Sequence, residues 1–148
     1  MNKINYDELK NAASRRAASA DPVEMKIVNL TQHPASAEQR TAGVFDLPED
    51  GARRELLMQL TFGDLPEDGE IVERAAAVAS IAMAFGARAA MIGGAPYLMS
   101  ALERELREGG ITPLYAFSRR ESVEEKLPDG SVRKVAVFRH LGFVEGTS

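Results

Sequence analysis

Residues 89–117 read AAMIGGAPYLMSALERELREGGITPLYAF and contain a strand, a helix and a second strand in close succession. The apolar run at residues 89–92 predicts a buried strand that ends in a glycine pair. Residues 96–108 predict a helix closed by Gly109 and Gly110, and its inner face is formed by Leu98, Leu102 and Leu106. Residues 112–117 predict the second strand. Two strands joined by a helix are typical of a parallel sheet with a right-handed crossover.

The chain upstream supplies one more strand and three helices. Residues 25–30 predict the first strand, and the capping-box pattern at residues 36–39 predicts a short helix that Gly43 ends. Apolar residues at helical spacing predict further helices over residues 49–60 and 70–85. The order strand, helices, strand, helix, strand therefore extends the parallel sheet.

A five-residue string, Leu-Pro-Glu-Asp-Gly, occurs at residues 47–51 and again at residues 65–69. We interpret both copies as helix starts, because proline suits the first turn and acidic residues are favoured by the helix dipole there. Residues 1–24 are predicted to form a helical appendage without a signal-peptide core, and residues 25–148 to form the main domain.

Downstream, the strand at residues 112–117 is predicted to deliver the polar cluster Ser118-Arg119-Arg120-Glu121-Ser122 at its carboxyl end. An Asp129-Gly130 turn then predicts a hairpin. Strict alternation in the last strand places several side chains on one face: Val135, Val137, Arg139, Leu141 and Phe143. We therefore predict an α/β, Rossmann-like three-layer fold with a short parallel sheet and a C-terminal antiparallel β-hairpin.

Length, composition and charge exclude several classes of function for this chain. With 148 residues and a formal net charge of −4, the chain is expected to be one domain that does not bind DNA or long RNA through a broad basic surface. A small anionic ligand in a local arginine pocket remains compatible with this charge. The absence of cysteine excludes disulfides and thiolate chemistry and predicts a cytoplasmic location. No apolar run reaches the ~20 residues that span a bilayer, so no membrane association is expected.

Three segments are expected to meet at the carboxyl edge of the parallel strands, where open α/β sheets bind ligands. They supply hydrogen-bonding groups and a glycine loop before a helix, namely Asn29, Thr31, Gln32, Gly93, Gly94 and Tyr97. They also supply the polar residues Ser118, Arg119 and Arg120. Guanidinium groups match phosphate oxygens, and helix N-termini attract anions, so a phosphate-bearing ligand is predicted.

The chain has two histidines. His33 lies in the first of these segments and is the candidate general base, because imidazole titrates near neutral pH. His140 lies in the last strand, and two histidines so far apart do not indicate a metal site, so neither a metal nor another cofactor is predicted. Each signal also has an ordinary interpretation: glycine pairs are common loop geometry, arginines at strand ends are often solvated, and a loop histidine is more often a surface residue.

These residues resemble the small stand-alone members of the CRISPR-associated Rossmann fold (CARF) superfamily. The resemblance rests on the polar loop at residues 29–34 with its following helix start, on the Gly93-Gly94 strand end, and on the C-terminal segments SRRESVEE (118–125), LPDGSV (127–132) and VFRHLGF (137–143). It implies that residues 25–148 form a CARF-like domain. It also implies a homodimer that binds a cyclic oligoadenylate, with tetra-adenylate favoured, in antiviral defence.

Some members of that superfamily are ring nucleases that cut the ligand without metal. The resemblance implies that the ribose 2′-hydroxyl attacks the adjacent phosphate, that Arg119 and Arg120 stabilise charge, and that Ser118 or Thr31 orients the phosphate. His33 would assist proton transfer. The alternatives are a non-enzymatic nucleotide sensor or sponge, which only product formation distinguishes, and a structural partner-binding α/β domain, which would bind no nucleotide.

Overall fold

A computed structural model describes residues 27–147 of the chain, so the predicted appendage at residues 1–24 and the first two residues of the first predicted strand lie outside the described range. The described elements follow in the order β1 (Ile27–Asn29), α1 (Ala37–Thr41), β2 (Val44–Asp46), α2 (Gly51–Leu60), α3 (Glu70–Ala84), β3 (Ala89–Met91), α4 (Pro96–Glu108), β4 (Thr112–Lys126) and β5 (Val132–Glu145). None of these helices is long and apolar enough to cross a membrane.

The five strands form one sheet in the order β2-β1-β3-β4-β5. β1 pairs in parallel with β2 and β3, β3 pairs in parallel with β4, and β4 pairs antiparallel with β5. The predicted α/β, Rossmann-like fold with a parallel sheet and a C-terminal antiparallel hairpin is thereby confirmed. The strand β2 was not predicted, because three residues are too few to show an alternating pattern.

The predicted helices form close to the expected positions. Ser36 caps α1: its hydroxyl accepts a hydrogen bond from the amide of Gln39 at 3.1 Å, and its own amide donates to Gln39 Oε1 at 3.0 Å. α2 begins at Gly51, two residues later than predicted, because the side chain of Asp50 caps it. The first Leu-Pro-Glu-Asp-Gly string ends at Gly51, the first residue of α2, and the second ends directly before α3. Their interpretation as helix starts is thereby confirmed.

The core lies on both faces of the sheet. On one face α2, α3 and α4 pack together, and Leu98, Leu102 and Leu106 are fully buried there, as predicted. On the other face a smaller cluster surrounds Leu114 and includes Ile27, Ala35, Val44, Ala89, Met91 and Phe143. Burying a leucine side chain contributes about 1.5–3 kcal/mol relative to leaving it exposed, so the three leucines of α4 stabilise its packing on the sheet between β3 and β4.

The third predicted strand does not end at residue 117. β4 continues through the polar cluster to Lys126 and stays paired with β5 along its length, so Ser118–Ser122 is strand and not a loop at a strand end. Residues 118–140 form what we call the arm, a two-stranded hairpin that extends past the parallel strands. Its turn is closed by Asp129, whose carboxylate accepts a hydrogen bond from the Ser131 amide at 2.9 Å.

The strict alternation predicted for β5 is wrong. A register shift lies between Phe117 and Ser118, which pair with Gly142 and His140, so Leu141 has no partner in the ladder. Such a bulge reverses the side-chain alternation beyond it. Val135, Val137 and Arg139 consequently face Val123, Glu121 and Arg119, whereas Phe143 packs against the opposite core cluster around Leu114.

Candidate functional site

The sheet has its topological switch point between β1 and β3. The chain passes from β1 to β2 on one side and then returns through α2 and α3 to β3 on the other side. Ligands of open α/β sheets bind outside the carboxyl ends of the strands at such a point. The loops that leave this edge, residues 30–35 and residues 92–95, therefore form the candidate ligand site.

Asn29 ends β1 and organises the loop that follows. Its side chain is fully buried, and Nδ2 donates to the His33 carbonyl oxygen and to Asp46 Oδ1, both at 2.8 Å. Its Oδ1 accepts hydrogen bonds from the amide of Thr31 at 2.9 Å and from its hydroxyl at 2.6 Å. An asparagine amide has two N–H donors and two lone pairs, so no group of Asn29 is left for a ligand. Of the predicted contacts in this loop, Thr31 and Gln32 keep exposed surface.

Asp46, at the end of β2, joins this loop and was missed by the sequence analysis. Its carboxylate accepts hydrogen bonds from Asn29 and from the amide of Ala35 at 3.0 Å, and it pairs with Arg40 at 2.8 Å. Burial raises the pKa of Asp46, but these hydrogen bonds and the positive charges of Arg40 and Arg53 outweigh burial, so the pKa lies below its usual value. A charged Asp46 therefore ties β2 to the loop after β1.

The loop after β3 lies against the loop after β1, as predicted for segments that converge at this edge. A Cβ atom placed on Gly93 would lie 3.7 Å from Cγ2 of Thr31. Gly94 has a φ of +142°, which glycine adopts at little cost. α4 begins directly afterwards with Pro96 in its first turn, and no described side chain caps its N-terminus. Pro96 has no N–H, and the Leu98 amide donates to the Ala95 carbonyl oxygen at 3.0 Å. The Tyr97 amide and the positive end of the helix dipole are therefore what this turn offers to an anion at the switch point.

A cavity of about 470 Å³ opens beside the first turn of α4. It is lined by the connection between α2 and α3, including Phe62, Asp64 and Leu65, and by Tyr97 of α4. The rings of Phe62 and Tyr97 meet edge to face with their centroids 5.1 Å apart. Tyr97 was predicted as a ligand contact. Phe62 and Leu65 were not, because nothing in this loop sequence distinguishes it from an ordinary helix connection.

The arm separates the two predicted phosphate-binding arginines. Successive residues of a strand point to opposite faces, so Arg119 and Arg120 lie on opposite sides of β4. The side that faces α4 is identified by Tyr115, whose hydroxyl donates to Glu103 at 2.8 Å. Arg119 shares that side, whereas Arg120 lies on the other one. Within one chain the two guanidinium groups cannot both contact the same phosphate.

Arg119 instead belongs to a cluster with Glu121 and Arg139. Arg119 Nη2 lies 2.9 Å from Glu121 Oε1, Arg139 Nε lies 3.5 Å from Glu121 Oε2, and the two arginines are cross-strand partners. The hydrogen bond from Arg119, helped by Arg139, holds the pKa of Glu121 below its usual value. The cluster thus carries one net positive charge. By strand register it stands roughly 10 Å beyond the level of Gly93.

His33 and His140 occupy different environments. His33 is exposed in the loop after β1, and its carbonyl oxygen also accepts a hydrogen bond from the Thr31 hydroxyl at 3.1 Å. His140 pairs with Ser118 in the ladder and packs edge to face on Phe143, with ring centroids 4.8 Å apart. Within residues 27–147, no group of three or more histidine, aspartate or glutamate residues is arranged to hold a metal ion.

His140 is expected to make stability depend on pH. Both ring nitrogens are buried without a hydrogen-bond partner, and burial lowers the pKa of His140 although the Glu38 carboxylate opposes this. Near and below the ordinary histidine pKa of ~6.5, the unfolded chain binds a proton at His140 more readily than the folded chain does. The free energy of unfolding is therefore unaffected by His140 protonation well above that pH and decreases as the pH falls below it. Between pH 7.5 and 5, we expect the melting temperature to fall about 2–4 °C further in the native chain than in a His140→Leu variant.

The matched control for this measurement is His33→Leu, which removes the other histidine at an exposed position. It should keep the pH dependence of the native chain. An equal pH dependence in native and His140→Leu chains would assign the effect to other groups.

Comparison with known proteins identifies a family but no activity. One family model matches residues 25–144, and its description is "Uncharacterized protein MJ1673 family". No curated protein and no solved structure matches the chain. The matched range contains both loops at the switch point, the cavity and the arm.

Proposed function

This chain belongs to the uncharacterized protein MJ1673 family, and we propose that it binds a cyclic oligoadenylate second messenger at the carboxyl edge of its sheet and cleaves it without metal. The observation that carries the proposal is the meeting of the loop after β1 with the glycine loop after β3 at the switch point. A phosphate group bound there would accept a hydrogen bond from the Tyr97 amide in the first turn of α4.

The arm supplies the second element of the proposed site. The cluster of Arg119, Arg139 and Glu121 lies on the α4 side and carries one net positive charge, so a ring-shaped ligand held at the glycine loop would extend toward it. Both side chains are more than half exposed, with 63% and 53% of their surface accessible. Arginine forks bind phosphate oxygens in bidentate fashion, which suits a ligand with several phosphates.

The proposed reaction needs little from the protein beyond positioning. The 2′-oxygen of a ribose attacks the adjacent phosphorus, the bond from phosphorus to the 5′-oxygen breaks, and the products are a 2′,3′-cyclic phosphate and a 5′-hydroxyl. The attacking hydroxyl gives up its proton, for which His33 is the candidate acceptor, and the leaving 5′-oxygen takes one up. Arg119 and Arg139 would stabilise the charge on the phosphate in the transition state.

The arm also supports a two-fold dimer, which a ring-shaped ligand requires of a chain this small. Five apolar side chains on or beside it are half exposed or more: Phe117, Val132, Phe138, Leu141 and Val144. Within residues 27–147, β5 has a neighbour on one side only. Two-stranded hairpins are marginally stable alone, and free sheet edges tend to pair with another chain. Phe117 lies on the Arg119 side of the arm and Phe138 on the Arg120 side, so a second copy of the arm would pair with the free edge of β5 and cover the apolar side chains of one side.

The same exposed arm favours a second candidate function. A domain that docks another protein through the arm would need the apolar residues and would bind no nucleotide. The two candidates differ in the switch point, because only the nucleotide-binding function needs an open glycine loop there.

The proposal is tested by single-turnover incubation with labelled cyclic tri-, tetra- and hexa-adenylate in EDTA, followed by chromatography. We expect linear products that end in cyclic phosphate, with tetra-adenylate as the preferred substrate. Intact ligand that co-elutes with the protein would instead indicate a sensor or sponge. No cleavage and no retention would contradict the proposal and leave the partner-binding function.

A glycine variant with a matched control localises the activity. Gly94→Val places a branched side chain at φ +142°, beside the proposed phosphate position, and should abolish ligand binding. Gly86→Val makes a similarly strained change at φ +66° in the turn between α3 and β3, at the opposite end of β3 from the glycine loop. It should reduce stability without removing binding from the folded fraction.

A further inference from the structure

The cavity beside α4 combines apolar walls with an exposed aromatic ring. Phe62, Leu65 and Ile71 line it together with Tyr97, and its volume of about 470 Å³ lies in the range of small-ligand pockets, about 300–1,000 Å³. Leu65 is 92% exposed and Tyr97 is 52% exposed. Two large apolar side chains thus border the cavity with most of their surface in water, which favours an occupant that covers them.

The walls of this cavity are held in place before any ligand arrives. The guanidinium of Arg74 lies 4.3 Å from the centroid of the Phe62 ring. Its Nη1 also donates to the carbonyl oxygen of Thr61 at 2.6 Å and to that of Met58 at 3.2 Å, at the C-terminal end of α2. A cation on these carbonyls stabilises the helix end and fixes the segment that leads into Phe62. A preorganised pocket loses less entropy on binding than a mobile one.

The cavity lies directly beside the proposed phosphate site, so the two together could hold the base and the phosphate of one nucleotide. Tyr97 is the second residue of α4, and its own backbone amide is the donor proposed to receive a phosphate, so its ring lies next to that position. An aromatic ring beside an anion site is how proteins hold a base while the phosphate is bound separately. Asp64 also lines the cavity, and a carboxylate can accept a hydrogen bond from the exocyclic amino group of adenine.

We propose that this cavity is a purine-base subsite that takes one adenine of the ligand by stacking on Tyr97, an inference that rests on the proposed function. Phe62 and Leu65 close the sides of the base, and Asp64 selects a base that carries an amino group. Arg74 acts as a positioning residue through Phe62.

The subsite is tested with nucleosides, which carry no phosphate and so report on the base alone. Adenosine is titrated against the full chain by saturation-transfer NMR, with inosine as the comparison because it lacks the exocyclic amino group. We expect adenosine to bind, inosine to bind more weakly, and adenosine binding to disappear in Tyr97→Ala but persist in Tyr97→Phe. Tyr97→Ala should also weaken binding of cyclic tetra-adenylate about 10- to 100-fold, the usual effect of losing one stacked base.

The matched control is Phe85→Ala, which removes another exposed aromatic ring at the far end of α3. It should leave both affinities unchanged, and thermal melting checks that each variant is folded. If the native chain binds cyclic tetra-adenylate but Tyr97→Ala binds it equally well and adenosine does not bind, the subsite is overturned and the proposed function stands. If adenosine binding depends on Tyr97 but the cyclic ligand does not bind, the proposed function fails and the subsite remains for another purine compound.

Discussion

Replacing Asn29 with aspartate is expected to cost the fold about 3–5 kcal/mol at neutral pH, because it places an uncompensated charge in a buried site. Such a loss is a large fraction of the ~5–15 kcal/mol by which domains are stable. The side chain of Asn29 is fully buried, and its Nδ2 donates to Asp46 Oδ1 at 2.8 Å. In the variant an oxygen would replace that nitrogen, and two carboxylates would meet where a hydrogen bond now forms.

The loss of stability in Asn29→Asp should also depend on pH in a characteristic direction. In the native chain the pKa of Asp46 lies below its usual value, so its stabilising effect is present above the ordinary carboxyl pKa and is lost as the pH falls. In Asn29→Asp the two carboxylates repel each other, so the folded chain takes up a proton more readily than the unfolded chain does. The deficit of the variant should therefore shrink as the pH is lowered from 8 toward 5.

Urea unfolding at several pH values measures the effect, with Asn29→Ala as the control. The alanine variant loses the same hydrogen bonds without adding a charge, so its deficit should be smaller and nearly constant over this range. A deficit in Asn29→Asp that does not change with pH would contradict the direct contact between the side chains of Asn29 and Asp46.

The parts of the fold that sequence predicts well are those with a local cause. α4 was predicted at its observed bounds, because leucines at helical spacing, a proline at its start and two glycines after its end all point to the same segment. The capping box of α1 and the Asp129-Gly130 turn are likewise contained in a few consecutive residues. Their free energy is decided by neighbours in the chain, so a single sequence reveals them.

The parts that were missed depend on contacts between distant residues. β2 is a three-residue strand that exists because it pairs with β1. The length of β4 is set by pairing with β5, and the bulge at Leu141 appears only when both strands are aligned. The cavity needs Phe62, in the connection between α2 and α3, to meet Tyr97 of α4, which is 35 positions further along the chain. Sequence spacing does not reveal such contacts, so Tyr97 was predicted as a ligand contact but the cavity that it forms with Phe62 was found only in the structure.

Arg119→Ala and Arg139→Ala should each weaken binding of cyclic tetra-adenylate about 10-fold or more, and the double variant about 100-fold, since a hydrogen bond to a charged group contributes about 1.5–3 kcal/mol. Arg120→Ala should change the affinity less than about 3-fold on the same scale. The sequence alone gives no reason to expect different roles for Arg119 and Arg120 in ligand binding. The structure does, because Arg119 and Arg139 are cross-strand partners on the side of Tyr115 and α4, and Arg120 pairs with Phe138 on the opposite side.

The control for these variants is Arg88→Ala, which removes an exposed arginine next to the amino end of β3, at the far edge of the sheet from the glycine loop. Affinities are measured by calorimetry at 50 and 300 mM salt, because screening of exposed charges should reduce the contributions of Arg119 and Arg139 at the higher concentration. A loss in Arg120→Ala equal to that in Arg119→Ala would contradict the prediction. It would place the ligand on the side of the arm that carries Ser118 and His140, where a phosphate could reach Arg120. The α4 side of the arm would then be available for contacts with another protein chain.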